Sequence, residues 1–169
     1  LLQRFGDVVN PDAPWQPGLH LKGPWPMDTV QRFDAQRVRS LSVGNITDDP
    51  TVPLIWTRRH GSDEPFVSGD NHFVYPYIVV HYRISDVYRY AYGAVEPERL
   101  LEDTALQIVT AAFASRTFYA LSLSGRDELG ADLAAQLTAE LGVYDTGIEV
   151  VDVVVTDVHP PRDVAGSFE

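Results

Sequence analysis

The stretch "GDNHFVYPYIVVHYRISD", residues 69–86, alternates apolar side chains with polar or aromatic ones. An apolar row at every second residue predicts a β-strand with one buried face. Pro76 has no backbone N–H to donate, so we expect it at an edge, at a bulge or near the start of the strand. The two opposing rows are Val74, Ile78, Val80, Tyr82 and Ile84 against Tyr77, Val79, His81 and Arg83.

Two amphipathic helices are predicted after this strand. Pro97 suits a first helical turn, and the apolar residues after it recur at three- and four-residue steps. Ser124 and Asp127 match a helix-capping signature, and leucines then follow on one face until Gly142, where we expect the helix to end. The two apolar faces are Leu101, Ala105, Ile108, Val109, Ala112 and Phe113, and Leu129, Leu133, Leu137 and Leu141.

A β-branched run, "IEVVDVVVTDV" at 148–158, predicts a further strand with Val151, Val153 and Val155 inside. Before residue 69, the pattern predicts a short strand over 1–9 and one or two partly exposed strands over 29–43. A long connection over 45–70 contains an apolar island at 54–56 that suits a short strand. This order predicts an α+β fold, with a mixed or mainly antiparallel sheet and amphipathic helices packed on it.

Composition narrows the classes of function. A chain of 169 residues predicts one domain, residues 1–169. The net charge of -11 disfavours nucleic acid as a partner, and the absence of cysteine excludes disulfides and thiol nucleophiles. No apolar run is long enough to span a bilayer. Because the chain starts with Leu1 and not Met, and ends at "VAGSFE" without a turn or a closing helix, we interpret it as an excised domain of a longer protein.

The densest group of polar candidates lies in and just after the long connection. His60, Asp63, Glu64, Asp70 and His72 could in principle assemble a metal site from carboxylates and imidazoles. Their spacing matches no established ligand pattern, and acidic residues normally lie in solvent. The sequence therefore favours a solvated loop, with no metal.

Other catalytic signals are weak. His81 has no titratable partner at strand spacing, and Ser124 suits a helix cap better than a nucleophile. No phosphate-binding glycine motif is present. Arg83 could pair with Asp86 or Asp152, or could hold its head in water at the strand end. We predict no catalytic residues and no cofactor.

Several segments carry a resemblance to one known family: "RFG" at 4–6, "PGLHLKGPWPMDTV" at 17–30, "VRSLSVG" at 38–44, "SGDNHFV" leading to "VVHYRISD", and "YDTGIEVVDVVVTDVHPPRDVAGSFE" at 144–169. In order and spacing they resemble the SPFH (band 7) domain, and most closely its HflK-like branch, the modulators of the membrane protease FtsH. Departures are Asp86-Val87, where HflK-like chains often read Asp-Pro, the interrupting Pro76, and an acidic loop 45–70 longer than in stomatins.

The resemblance implies a non-enzymatic scaffold that oligomerises with like or related SPFH subunits and modulates a membrane-bound, ATP-dependent protease. It also implies a membrane-inserting segment before the domain and a coiled coil after it. The domain would lie outside the cytoplasm if HflK-like, and in the cytoplasm if stomatin-like. One alternative is a stomatin-like organiser of membrane microdomains that acts on other membrane proteins. Another is a metal-dependent hydrolase that uses His60, Asp63, Asp70 and His72.

Overall fold

The computed structural model describes residues 1–44, 65–122 and 125–160 of the chain. These ranges contain antiparallel strands and helices, joined by turns and irregular segments. Every strand pairing in these ranges is antiparallel, which confirms the α+β class. The strands are β1 (Leu2–Arg4), β2 (Asp7–Val9), β3 (Asp28–Val30), β4 (Arg39–Val43), β5 (Phe66–Val67), β6 (Phe73–Ile84) and β7 (Ile148–His159). The helices are α1 (Val87–Tyr92), α2 (Pro97–Ala114), α3 (Phe118–Ser122) and α4 (Arg126–Tyr144).

The first three strands form a separate small sheet in the order β2-β1-β3. The sequence predicted one short strand over residues 1–9, but the chain folds there into a hairpin. Phe5 and Gly6 turn it, with φ angles of 52° and 96°. Two consecutive positive φ angles suit the tight turn whose twist matches that of paired strands. We call residues 1–30 the N-terminal lobe.

Strand β6 is the centre of the second sheet and pairs with β4, β5 and β7. Its predicted alternation is confirmed, because every even-numbered residue from Val74 to Ile84 is buried. Pro76 lies between the residues that pair with β5 and those that pair with β4, next to a register shift after Tyr77. A proline is tolerated there because the ladder is already interrupted.

The two long helices have the predicted buried faces. Helix α2 begins at Pro97, and helix α4 buries its four leucines. Two details of α4 were predicted wrongly. Gly125 occupies the N-cap, where we expected Ser124, which lies outside the described residues. The helix also continues past Gly142 and ends at Tyr144, and the C-cap residue Asp145 closes it with a left-handed φ of 53°.

Strand β7 contains two bulges that change which residues face inward. Val150 pairs with Tyr82 and Asp152 pairs with His81, so Val151 is the extra residue of the first bulge. Val151 is consequently half exposed, and its predicted place in the core was wrong. Val153 and Val155 are buried as expected, with 4% and 7% exposure. A second bulge at residue 156 resets the alternation again.

The main core lies between the second sheet and helices α2 and α4. Its buried members begin at Val43 and end at Val158, and Phe113 at its centre is fully buried. Leu1 and Leu2 are also buried but do not belong to this core. The described residues from 39 onward, 39–44, 65–122 and 125–160, therefore form a main lobe. Residues 31–38, which have no helix or strand, join it to the N-terminal lobe.

Candidate functional site

The turn from Ser68 to His72 brings a hydroxyl, a carboxylate and an imidazole together. The Ser68 hydroxyl donates to Asp70 Oδ1 at 2.6 Å, and His72 Nδ1 lies 3.3 Å from the same oxygen. Asp70 also accepts from the backbone N–H of Phe118 at 2.9 Å. The cluster therefore ties the β5–β6 turn to the start of α3.

This cluster has the residue types of a hydrolase but not their geometry. A nucleophilic serine needs a histidine base at its hydroxyl, whereas the Ser68 hydroxyl and the His72 ring both contact Asp70. Ser68 is 2% exposed, so a substrate could not reach it. The Ser68 hydroxyl, helped by the Phe118 amide and by His72, lowers the pKa of Asp70 to about 2 and outweighs the opposite effect of burial. Asp70 is thus a charged anchor of the turn.

The other members of the predicted metal cluster, His60, Asp63 and Glu64, lie outside the described residues. Within the described ranges, no group of three or more His, Cys, Asp or Glu side chains is placed to hold a metal ion. The absence of a metal site therefore stays a prediction.

Arg83 pairs with neither of the carboxylates that we expected. Its guanidinium makes two bonds to Glu149, at 2.9 and 3.1 Å, because the β6–β7 register places these residues opposite each other. About half of the Arg83 side chain is exposed, in agreement with the alternative of a solvated head. Asp86 instead caps α1 by accepting from two amides, and Asp152 lies opposite His81.

A polar network joins four elements of the main lobe at Glu98. One carboxylate oxygen, Oε1, accepts from Arg39 at 2.9 Å, from the Tyr90 hydroxyl at 2.8 Å and from the Tyr82 hydroxyl at 3.1 Å. Burial and the nearby Glu98 charge raise the pKa of Tyr82 to about 12, so both tyrosines stay neutral donors. Because Glu98 accepts from all three of these donors, the network holds α1 and α2 against the sheet.

The most unusual surface lies on the N-terminal lobe, where large apolar side chains point into solvent. Leu19 and Leu21 are 97% and 93% exposed, and Trp25 is 81% exposed. The hairpin turn places the exposed Phe5 beside Met27, because the Phe5 N–H donates to the Met27 carbonyl at 2.9 Å. We call Phe5, Leu19, Leu21, Trp25 and Met27 the apolar surface. Such exposure is typical of a contact site for a membrane or a protein.

An ion pair between a buried carboxylate and a half-exposed guanidinium fixes the base of this surface. Asp28 is completely buried and accepts from Arg4 through both oxygens, at 2.9 and 3.1 Å. One of these oxygens also accepts from the Gly23 amide at 2.7 Å, which closes the loop that carries Trp25. These bonds, with Arg4 contributing most, lower the pKa of Asp28 to about 2. The loop is therefore held by a carboxylate that stays charged.

A family model described as "SPFH domain / Band 7 family" matches this chain over residues 1–169. The chain belongs to the SPFH domain / Band 7 family. Similar curated proteins include "Protein HflK" of Vibrio cholerae serotype O1, which is 22% identical over 99% of this chain and 36% of its own length. "Modulator of FtsH protease HflK" of Escherichia coli K12 is 20% identical over 98% of this chain and 33% of its own length.

This SPFH chain thus spans about a third of the curated relatives that it matches. Among the residues that the structure describes, no helix is both long enough and apolar enough to cross a bilayer.

Sequence reasoning missed the apolar surface of this SPFH domain, although a signal was present. Leu19, Leu21 and Trp25 lie among prolines and glycines that resist helix and strand, so they could not be assigned to a buried face. The partners of Asp28 and Glu98 were not predictable, because they lie on elements whose relative placement the sequence pattern does not define.

Proposed function

We propose that this SPFH domain is a non-enzymatic, oligomerising scaffold at a membrane, where it modulates a membrane-bound ATP-dependent protease of the FtsH kind. The apolar surface on the N-terminal lobe carries the membrane part of the proposal. The protease part is supported by similarity along the chain to a relative named as a modulator of FtsH protease. On this proposal the domain lies on the extracytoplasmic side.

Lipid is the occupant that we assign to the apolar surface. Trp25 and the two leucines combine an interfacial aromatic ring with apolar tips, which suits the boundary between headgroups and acyl chains. The molecule as a whole is acidic, with a net charge of -11, so attraction to anionic lipid does not explain binding. Insertion of apolar side chains is the remaining driving force.

Vesicle co-sedimentation tests this assignment. The wild-type chain should bind vesicles of phosphatidylethanolamine and phosphatidylglycerol, and the binding should change little with salt. Burying a leucine contributes roughly 1.5–3 kcal/mol. The double variant Leu19→Ser, Leu21→Ser should therefore bind at least about tenfold more weakly, since a tenfold change needs only about 1.4 kcal/mol.

The matched control is Val95→Ser, Val143→Ser, which removes two largely exposed apolar side chains from the main lobe. It should bind vesicles like the wild type. If the wild type fails to bind, or if both double variants bind equally, the lipid assignment is wrong.

The protease part has its own test in the full-length protein. Affinity purification from membranes should recover an ATP-dependent membrane protease, and deletion of the gene should change the degradation rate of a membrane substrate of that protease.

The competing candidate is a stomatin-like organiser of membrane microdomains, with the domain in the cytoplasm. Recovery of other membrane proteins without any protease would favour that candidate.

The non-enzymatic part rests on the Ser68–Asp70–His72 geometry, which suits a turn and not a reaction. A metal-dependent hydrolase would need a formed site whose metal stabilises the fold. Adding EDTA should therefore leave the melting temperature unchanged. A loss of several degrees would contradict this, and the lost metal would then have to be identified.

A further inference from the structure

The two lobes are separate units connected by one stretch of chain. Their sheets share no strand pairing, and Leu1 and Leu2 lie outside the main core. In the described ranges, no backbone hydrogen bond and no ion pair joins residues 1–30 to the main lobe. Residues 31–38, which have no helix or strand, make the covalent connection.

The lobes meet at α1 through side chains. The Gln3 amide donates to the Tyr92 hydroxyl at an exposed position. Phe33, in the connection, packs edge-on against the Tyr90 ring with centroids 6.1 Å apart. Helix α1 has no buried residue. The contacts that the structure shows between the lobe with its connection and α1 are thus one exposed hydrogen bond and one ring pair, and domains joined by few contacts move relative to one another.

Helix α1 itself is fixed to the main lobe. The Asp86 backbone N–H donates to the Gly147 carbonyl at 3.2 Å, and Arg89 forms an ion pair with Asp145. Tyr90 belongs to the Glu98 network. The part that can move is thus the N-terminal lobe, and α1 is the surface that it moves against.

We propose that the N-terminal lobe pivots on α1, with residues 32–38 as the hinge and the bond between Gln3 and Tyr92 as the contact that favours one orientation. Gln31 moves with the lobe, because its N–H and its carbonyl are both bonded to Leu1. A short connecting segment absorbs the backbone change in such motions, while the packed lobes stay rigid. The Arg4–Asp28 pair keeps the moving lobe intact. This inference does not depend on the lipid or protease assignments, and it holds for any occupant of the apolar surface.

Pulsed electron–electron double resonance can detect the pivot, because it measures the distribution of distances between two spin labels. The chain has no cysteine, so spin labels attach only to the two cysteines that are introduced. The inter-lobe pair is Asp7→Cys with Gln136→Cys, and the control pair within the main lobe is Gln107→Cys with Gln136→Cys. All three sites are exposed. We expect the inter-lobe distance distribution to be at least about twice as wide as that of the control. Equal widths would overturn the pivot.

The contact at Tyr92 has a matched test on the same helix. Tyr92→Phe keeps the ring and removes the hydroxyl that Gln3 binds, so it should widen the inter-lobe distribution further. Tyr88→Phe removes a neighbouring hydroxyl, and its ring lies 5.3 Å from that of Tyr92. It should leave the width unchanged. If both variants match the wild type, Tyr92 does not favour one orientation, and that part of the inference is wrong.

Discussion

Gly130 and Gly142 lie on the same helix, α4, but meet different surroundings. A methyl group at Gly142 would have no neighbour within 4 Å, whereas one at Gly130 would lie 2.5 Å from the Val153 carbonyl oxygen. Gly142→Ala should therefore stabilise the protein by roughly 0.5–1 kcal/mol, because glycine is costly in a helix interior. Gly130→Ala should destabilise it. Urea denaturation of both variants checks this, and equal effects would contradict the packing of α4 on β7.

Asp28 should make stability depend on pH. Its pKa is about 2 in the folded chain and 3.8 in the absence of partners, so folding favours its charged form. The resulting stabilisation is present above the unfolded pKa and is lost as pH falls through the folded pKa. The melting temperature of Asp28→Asn should be below that of the wild type at pH 6, and the difference should shrink between pH 4 and pH 2.

The control for that experiment is Asp12→Asn, which removes the same charge from an exposed position. It should follow the wild type across the whole pH range. A difference between Asp28→Asn and the wild type that stays constant from pH 6 to pH 2 would show that shape, and not charge, explains the effect.

At the level of elements, the bulge in β7 makes two neighbouring valines respond oppositely to the same change. Val153→Asp would bury an unpaired charge, which costs several kcal/mol and should prevent folding. Val151 is 50% exposed, so Val151→Asp should change the free energy of unfolding by less than about 0.5 kcal/mol. Circular dichroism and thermal melting distinguish the two. A folded Val153→Asp variant would refute the strand register.

Elements that carry a long, regularly spaced row of apolar residues were predictable from sequence, and elements without such a row were not. The buried rows of β6, α2 and α4 follow from periodicity alone, because burial on one face determines them. Helix α1 has no buried residue, so it left no such signal. The bulge at Val151 depends on pairing with β6, which a single strand does not encode. The order of the elements predicted the fold class and the family resemblance agreed with it, but neither predicted these local geometries.

For the molecule as a whole, we expect a monomer or weak oligomer from residues 1–169. A stable interface buries roughly 1,200–2,000 Å², and the net charge of -11 makes copies repel. A millimolar dissociation constant, worth only about 4 kcal/mol, would leave the chain mostly monomeric at about 100 μM in sedimentation. If the proposed scaffold role holds, assembly depends on a raised local concentration at the membrane, where weak contacts suffice.

Leu19→Ser, Leu21→Ser is the control here, because it separates association through the apolar surface from association through other faces. Any weak oligomer that disappears in this variant is assigned to the apolar surface. A discrete large ring that forms from residues 1–169 and resists salt would contradict the expectation.

Strand β7 also affects whether the protein aggregates at high local concentration. In the described part of the chain β7 pairs with β6 alone, and a long strand with one unpaired side can recruit other strands into fibres. The bulges at Val151 and residue 156 interrupt the regular row of amides and carbonyls, and Glu149, Asp152 and Asp157 add charge. Copies packed side by side would thus be discouraged from joining through their backbones. Deleting Val151 or residue 156 would remove one bulge and restore a regular edge. We expect such a variant to form amyloid-like aggregates at high protein concentration.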